Sequence, residues 1–339
     1  MNHRKDVQSL FQTKNVMGLL ISTYYSSKSQ ENETLSYAKF REYFLSSQKS
    51  IDAKNTFGDL RHLQKKFEDA FNNPIVYNKV GAIIRIINDK DAFIRGYFNN
   101  NPIISFDDLD RYYKWAFIEL THKEIIENNQ NKFDEKFNDI LKVLENNNLY
   151  NENPETAFRL LLRLNIDEDN KQEDGKGRRF DFSIWDNGSR GRSLEHIYPK
   201  SKVWHNEKNG DSVIIMDGNG EICDDSVKQD DSSYISRESC EYKQTKTVAS
   251  EHSIGNLVLL YKDDNSAFNN SSFEEKKSLF FNLFFKKNVD KKKDIFKSRH
   301  LLHTIYKFAY SEWKGEQIAK NKYETLEEFT KYYKEYYEK

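Results

Sequence analysis

Apolar residues recur at helical spacing through the N-terminal half of the chain. Phe57, Leu60, Leu63, Phe67 and Phe71 form one stripe, and Tyr77, Val80, Ile83, Ile84 and Ile87 a second. Phe133, Phe137, Ile140, Leu141 and Leu144 form a third. Steps of three and four put each set on one face of an α-helix. Asn72-Asn73-Pro74 and Asn99-Asn100-Asn101-Pro102 mark breaks between helices, because proline lacks an amide donor and restricts the residue before it. Thr34-Leu35-Ser36, ahead of Tyr37, Phe40 and Phe44, predicts a helix start. Phe158 to Leu164 continues the pattern, so residues 1–165 read as a helical domain.

The pattern then changes. Asp167 to Gly175 is a charged run that reads as a surface loop, and Arg178 to Trp185 alternates as a strand before a turn at Asp186-Asn187-Gly188. Leu194-Glu195-His196-Ile197-Tyr198-Pro199 predicts a short strand ended by its proline, and Ser253 to Leu260 a second strand. A polar insertion, residues 205–250, separates them. Within it, Val213–Met216 and Glu221-Ile222-Cys223 flank Asp217-Gly218-Asn219-Gly220 as a small hairpin. A calcium loop is excluded there, because its sixth and twelfth positions are Ile222 and Lys228 instead of Gly and Glu. From Phe273 the pattern is helical again, with a dense apolar run over Ser278–Phe285 and an amphipathic stretch from His300 to Tyr337. The expectation is a mainly α protein: helices over 1–165, a small module over 166–285, and C-terminal helices over 286–339 packing on it.

Composition narrows the class. The 24 Phe and 20 Tyr argue against disorder, and a net charge of −1 offers no whole-chain attraction to nucleic acid, so a local patch must supply any. Two cysteines, Cys223 and Cys240, are too few for a disulfide framework, and with no matched His pair nearby they cannot build a four-ligand structural zinc site. No apolar run approaches the ~18 residues of a membrane span, and the first residues lead into no secretory segment. The predicted location is the cytoplasm.

Phosphodiester hydrolysis needs a base to take a proton from water, a cation to neutralise the departing oxygen, and a group to orient the base. The two strand segments supply these types. His196 is the candidate base, and Asn256 an amide able to hold its side chain or its strand. Glu195 and Asn265 are candidate oxygen ligands for Mg²⁺ (or Mn²⁺), which keeps several waters and needs few protein ligands. Neighbouring residues on a strand face opposite ways, so Glu195 and His196 share a cleft only if the strand twists. Gly255 allows a close backbone approach.

These residues resemble the HNH, or ββα-metal, endonuclease superfamily: an acidic residue and His on one strand, Asn on the next, and His or Asn nine positions later. Leu194–Pro199, Ile254-Gly255-Asn256-Leu257-Val258-Leu259-Leu260 and Asn265-x-x-x-Asn269-Asn270-x-x-Phe273-x-x-Lys276 are similar to the HNH half of GmrSD-type, modification-dependent restriction proteins. Leu160–Ile166 and Arg179–Phe182 fit that family's approach to the motif. The resemblance implies a ββα-metal module embedded in the helical protein and the roles just given. It also implies DNA as substrate, base-modified DNA included, in prokaryotic defence. The Asp-Gly-Gln-Gln-Arg segment of the family's nucleotide-dependent domain does not occur here, which points to a partner chain carrying that domain or to a truncated chain.

Residues 270–300 hold nine Lys or Arg against four acidic residues, a local +5. Lys276 and Lys277 in this run, with Arg190 and Arg192 before the first strand, are candidate phosphate contacts, positioning the nucleic acid without reading its sequence. His252, just before the second strand, reads first as a packed structural histidine. Two rival readings remain: an inactive or partner-dependent DNA-binding subunit, and a helical scaffold in which the motif is accidental.

Overall fold

The fold was obtained as a computed structural model and describes residues 5–29, 35–45, 53–99, 102–210, 212–224, 231–244, 246–281 and 296–334. It is mainly helical, with small sheets. The chain packs as two units: Met1–Phe137 with Asp169–Phe182, and Asn138–Glu168 with Ser183–Lys339.

In the first unit the predicted break at Asn73-Pro74 separates helices Ala53–Asn72 and Pro74–Ile86. Asn73 caps the second, its side chain accepting from the amides of Ile75 and Val76 at 3.0 and 3.2 Å. The stripe from Tyr77 to Ile87 is buried throughout, whereas the one before it becomes core only from Leu63 onward, leaving Phe57 exposed. Ser36 receives the Lys39 amide at the start of helix Tyr37–Leu45; Thr34, Asn100 and Asn101 lie outside the described residues.

The alternating segment Arg178–Trp185 is not a strand. Phe180 and Phe182 are buried as the alternation requires, but the Phe180 amide donates to Asn78 Oδ1 at 2.7 Å, not to a neighbouring strand. Asn78 also donates to Asn170 Oδ1 and the Arg178 carbonyl, both at 2.8 Å. One buried amide thus supplies the pairing that a sheet would have given.

The second unit is built round two antiparallel strands, β1 (Arg192–His196) and, near the end of the strand order, Leu257–Tyr261, in the register Glu195↔Val258 and His196↔Leu257. All five residues of the second of these strands are buried. Its far edge is closed by side chains: the Tyr261 amide donates to Ser298 Oγ, and Thr304 Oγ1 donates to the Leu259 carbonyl. Residues 138–168, grouped by periodicity with the N-terminal helices, pack in this unit. Asn165 Oδ1 accepts from the His303 amide at 3.0 Å, and Lys322 Nζ donates to the Glu145 carbonyl at 2.8 Å.

The polar insertion carries structure of its own. Strands β2 (Val203–Asn209), β3 (Ser212–Asp217) and β4 (Ile235–Ser236) form a sheet in the order β3-β2-β4, while β5 (Glu241–Tyr242) pairs with β6 (Thr247–Val248). With these named, strand Leu257–Tyr261 is β7. The expected turn after β3 is present: Asp217 Oδ1 accepts from the amides of Asn219 and Glu221, and the Cys223 amide donates to the Ile215 carbonyl. Both cysteines are free, and Cys240 is buried. No described helix is long and apolar enough to cross a membrane.

The second predicted strand starts later than its apolar run. Ile254–Asn256 is a single 3₁₀ turn, and extended pairing begins at Leu257. Helix Gly315–Lys334 lies directly on that turn, with Asn321 Nδ2 donating to the Gly255 carbonyl at 2.8 Å. A Cβ on Gly255 would sit 2.1 Å from the Ile318 carbonyl oxygen and 2.8 Å from the Lys322 amide nitrogen, and main-chain atoms of a packed helix do not yield cheaply. Gly255→Ala is therefore expected to lower stability by about 1–3 kcal/mol. Denaturant unfolding measures this, and an unchanged midpoint would show that the helix does not approach so closely.

Candidate active site

The end of β1 gathers the motif residues. Alternation along the strand puts Ser193 and Glu195 on one face and Arg192, Leu194 and His196 on the other. Asn265, at the end of the single helical turn Lys262–Asn265, reaches the first face: its Nδ2 donates to Ser193 Oγ at 2.7 Å, and its side chain lies beside the Glu195 carboxylate. Asn265 thus closes one short helical turn, and the longer helix, Phe273–Phe280, follows a break. Asn269 and Asn270 lie in that break, both exposed.

Helix Phe273–Phe280 opens with a capping box in which Ser272 and Glu275 satisfy each other's backbone amides. Its inward face is Phe273, Lys276 and Phe280. Lys276, expected on a phosphate-facing surface, is instead buried, 2.5 Å from Glu195 Oε1 and 2.6 Å from the His196 carbonyl oxygen. The spacing that makes Phe273 and Phe280 core carries Lys276 inward with them. Burial pushes the Glu195 carboxyl above its usual range, with Lys276 and Asn265 opposing that shift, and burial likewise lowers the Lys276 ammonium.

His196 is 5% exposed. Its Nε2 lies 3.1 Å from Nδ1 of His252, and the Tyr150 ring lies 4.4 Å from it, centroid to centroid. Burial, reinforced by the adjacent His252 imidazole and by the Lys276 and Lys200 cations, holds its pKa well below the ordinary histidine value. The ring is neutral near pH 7 and so able to accept a proton.

Asn256 is fully buried and acts on the strand, not on the imidazole. Its Oδ1 accepts from the Tyr198 amide at 2.8 Å, and its Nδ2 donates to the carbonyls of Tyr198 and Glu251 at 2.9 and 3.0 Å. The Asn256 carbonyl accepts from the Ile197 amide at 2.8 Å, carrying the β1–β7 pairing one residue beyond the strands.

The other candidate phosphate contacts differ in availability. Arg190 is exposed at the end of the 3₁₀ turn Gly188–Arg190. Arg192 lies 3.6 Å over the Phe158 ring and 2.6 Å from Glu155 Oε2, which ties it to the scaffold. Lys277 donates to the Tyr310 carbonyl at 2.5 Å. Lysines 286, 287 and 291–293 of the basic run lie outside the described residues.

Sequence reading missed two neighbours and gave a third, His252, first as a packed structural histidine. Lys200 lies within electrostatic reach of Glu195, His196 and His252. Its place directly after Pro199 was the available signal. Tyr150, 46 positions before His196 in the chain, carried none. His252 was visible only as a buried histidine near the motif.

A family model for the C-terminal domain of GmrSD restriction endonucleases matches residues 134–327, which include every residue of this cluster. The chain belongs to that family. Membership points to a nuclease of the restriction type. No curated protein and no solved structure matches the chain.

Proposed function

We propose that this chain is a metal-dependent HNH endonuclease that hydrolyses DNA phosphodiester bonds in defence against foreign DNA, base-modified DNA included. The observation that carries the reading is the juxtaposition at the end of β1. Asn265, 70 residues from Glu195 in sequence, is hydrogen-bonded to Ser193 on the Glu195 face of the strand, and the adjacent His196 is buried against His252.

The donor set suits a hard divalent cation. Glu195 offers carboxylate oxygens, and rotation of the Asn265 amide about its terminal bond would turn Oδ1 toward them. Glu195 keeps 13% of its side-chain surface, leaving water to complete a coordination shell. Among the described residues there is no group of three or more His, Cys, Asp or Glu able to hold a metal, so the donors do not suit a closed zinc site. Glu195 and Asn265 would hold Mg²⁺ (or Mn²⁺), which supplies charge neutralisation for the departing 3′-oxygen.

The chain's own residues account for the rest. His196 takes a proton from the attacking water as the new oxygen–phosphorus bond forms. The bond to the 3′-oxygen breaks, and that oxygen takes a proton from solvent. A phosphate beside His196 raises its proton affinity, opposing the effect of burial and bringing the base toward its working range. Asn256 fixes the backbone on which His196 sits. Lys276 holds the Glu195 carboxylate, and Arg190 and Lys200 are the cationic groups best placed to meet backbone phosphates.

Plasmid cleavage by the purified chain with Mg²⁺ or Mn²⁺, beside EDTA, tests this, with unmodified, hydroxymethylated and glucosylated DNA in parallel. Nicking or linearisation that EDTA abolishes is the expected result. No cleavage of any of these DNAs would overturn the proposal.

A further inference from the structure

His252 faces His196 with one ring nitrogen and the body of the protein with the other. Nδ1 lies 3.1 Å from His196 Nε2. Nε2 lies 3.6 Å from Oε1 of Glu251, a fully buried carboxylate that also meets Arg237 at 2.8 Å. The Gly218 carbonyl is a backbone acceptor beside the same ring.

These contacts favour one placement of the protons. A neutral imidazole has one N–H and one lone pair. With Nδ1 turned to His196, the nitrogen left for the Gly218 carbonyl and the Glu251 carboxylate is Nε2. Both partners are acceptors, so Nε2 carries the proton and Nδ1 the lone pair. A lone pair on His252 Nδ1 requires an N–H on His196 Nε2. The basic nitrogen of His196 is then Nδ1, which has no hydrogen-bond partner among the described residues.

We infer that His252 is a positioning residue that locks His196 in the tautomer protonated on Nε2, so that Nδ1 is the atom that takes the proton from water. The catalytic part of this inference rests on the nuclease reading, whereas the tautomer part stands on the surroundings of His252, the His196 contact at one ring nitrogen and the buried Glu251 carboxylate at the other. Tyr150 supports the same orientation, its ring packing on both imidazoles at 4.4 and 5.9 Å. The arrangement has the logic of a buried acceptor fixing a catalytic histidine from behind, with a second imidazole in place of a carboxylate.

The tautomer is read directly by long-range ¹H–¹⁵N correlation spectra of the full chain labelled on its eight histidines. His196→Gln assigns the His196 signals. The expected wild-type pattern is Nε2-protonated for both His196 and His252. His252→Phe should convert His196 to a mixture of tautomers. His252→Asn, whose Oδ1 falls near the position of Nδ1, should restore the single form. In parallel, kcat for metal-dependent cleavage should fall on the order of 10–100-fold in His252→Phe and recover in His252→Asn, with KM little changed. An Nδ1-protonated His196 in the wild type, or a tautomer indifferent to His252→Phe, would overturn the inference. If His252→Phe does not fold, the wild-type spectrum and the Asn variant still decide it. The spectra are independent of cleavage, so an inactive wild-type chain with the expected tautomer would sink the nuclease reading and leave the hydrogen-bond assignment standing.

Discussion

Replacing His196 by alanine is expected to lower metal-dependent plasmid cleavage by roughly 10²–10⁴-fold, the usual share of a general base. The imidazole is the proposed base at the end of β1, one residue from the Glu195 carboxylate, and burial lowers its pKa. Its ring is buried against Tyr150 and His252, so alanine also removes packing. His196→Gln separates the two effects, because it keeps most of the volume and loses the basic nitrogen. Both variants should lose cleavage to a similar degree, while the glutamine form unfolds close to the wild-type midpoint. Wild-type rates in a folded His196→Gln chain would remove His196 from the mechanism.

Lys276→Met should cost about 3 kcal/mol of stability, toward the lower end of what breaking a buried ion pair costs. The Lys276 side chain is 1% exposed, and its ammonium is shared between Glu195 Oε1 and the His196 carbonyl. Methionine fills the same space and leaves both acceptors without their donor. Glu195 has a partial escape, because burial already shifts it toward its protonated form. That is the reason for choosing the lower end. The double variant Glu195→Gln with Lys276→Met removes both charges and should recover most of the loss, a coupling that a double-mutant cycle in denaturant unfolding reads directly. Additive effects of the two substitutions would mean that the pair does not act as a unit.

Both predictions concern residues whose identity was legible in the chain and whose surroundings were not. Lys276 was read as a surface cation because its neighbours are charged: Glu274, Glu275 and Lys277. Its inward direction follows from sharing a helix face with Phe273 and Phe280, a pattern the local charge obscured. Arg192 was read as free for phosphate, but the Phe158 ring and the Glu155 carboxylate that engage it come from a helix more than 30 positions earlier. Arg178–Trp185 alternates as a strand should, yet Asn78 meets its backbone, so the same burial pattern arises without a sheet.

The sequence by itself determined the helical periodicity, the break at Asn73-Pro74 and the two motif segments. Each of these is local: a repeat of apolar positions, a missing amide donor, a spacing of nine residues. Only the tertiary structure decided that Asn256 braces the backbone of Tyr198, that Lys276 turns inward to Glu195, and that His252 meets His196 from 56 positions away. Those are matters of which surfaces close on one another. Where a buried polar group finds its partner depends on the packing of distant elements, and no local pattern in the chain encodes that.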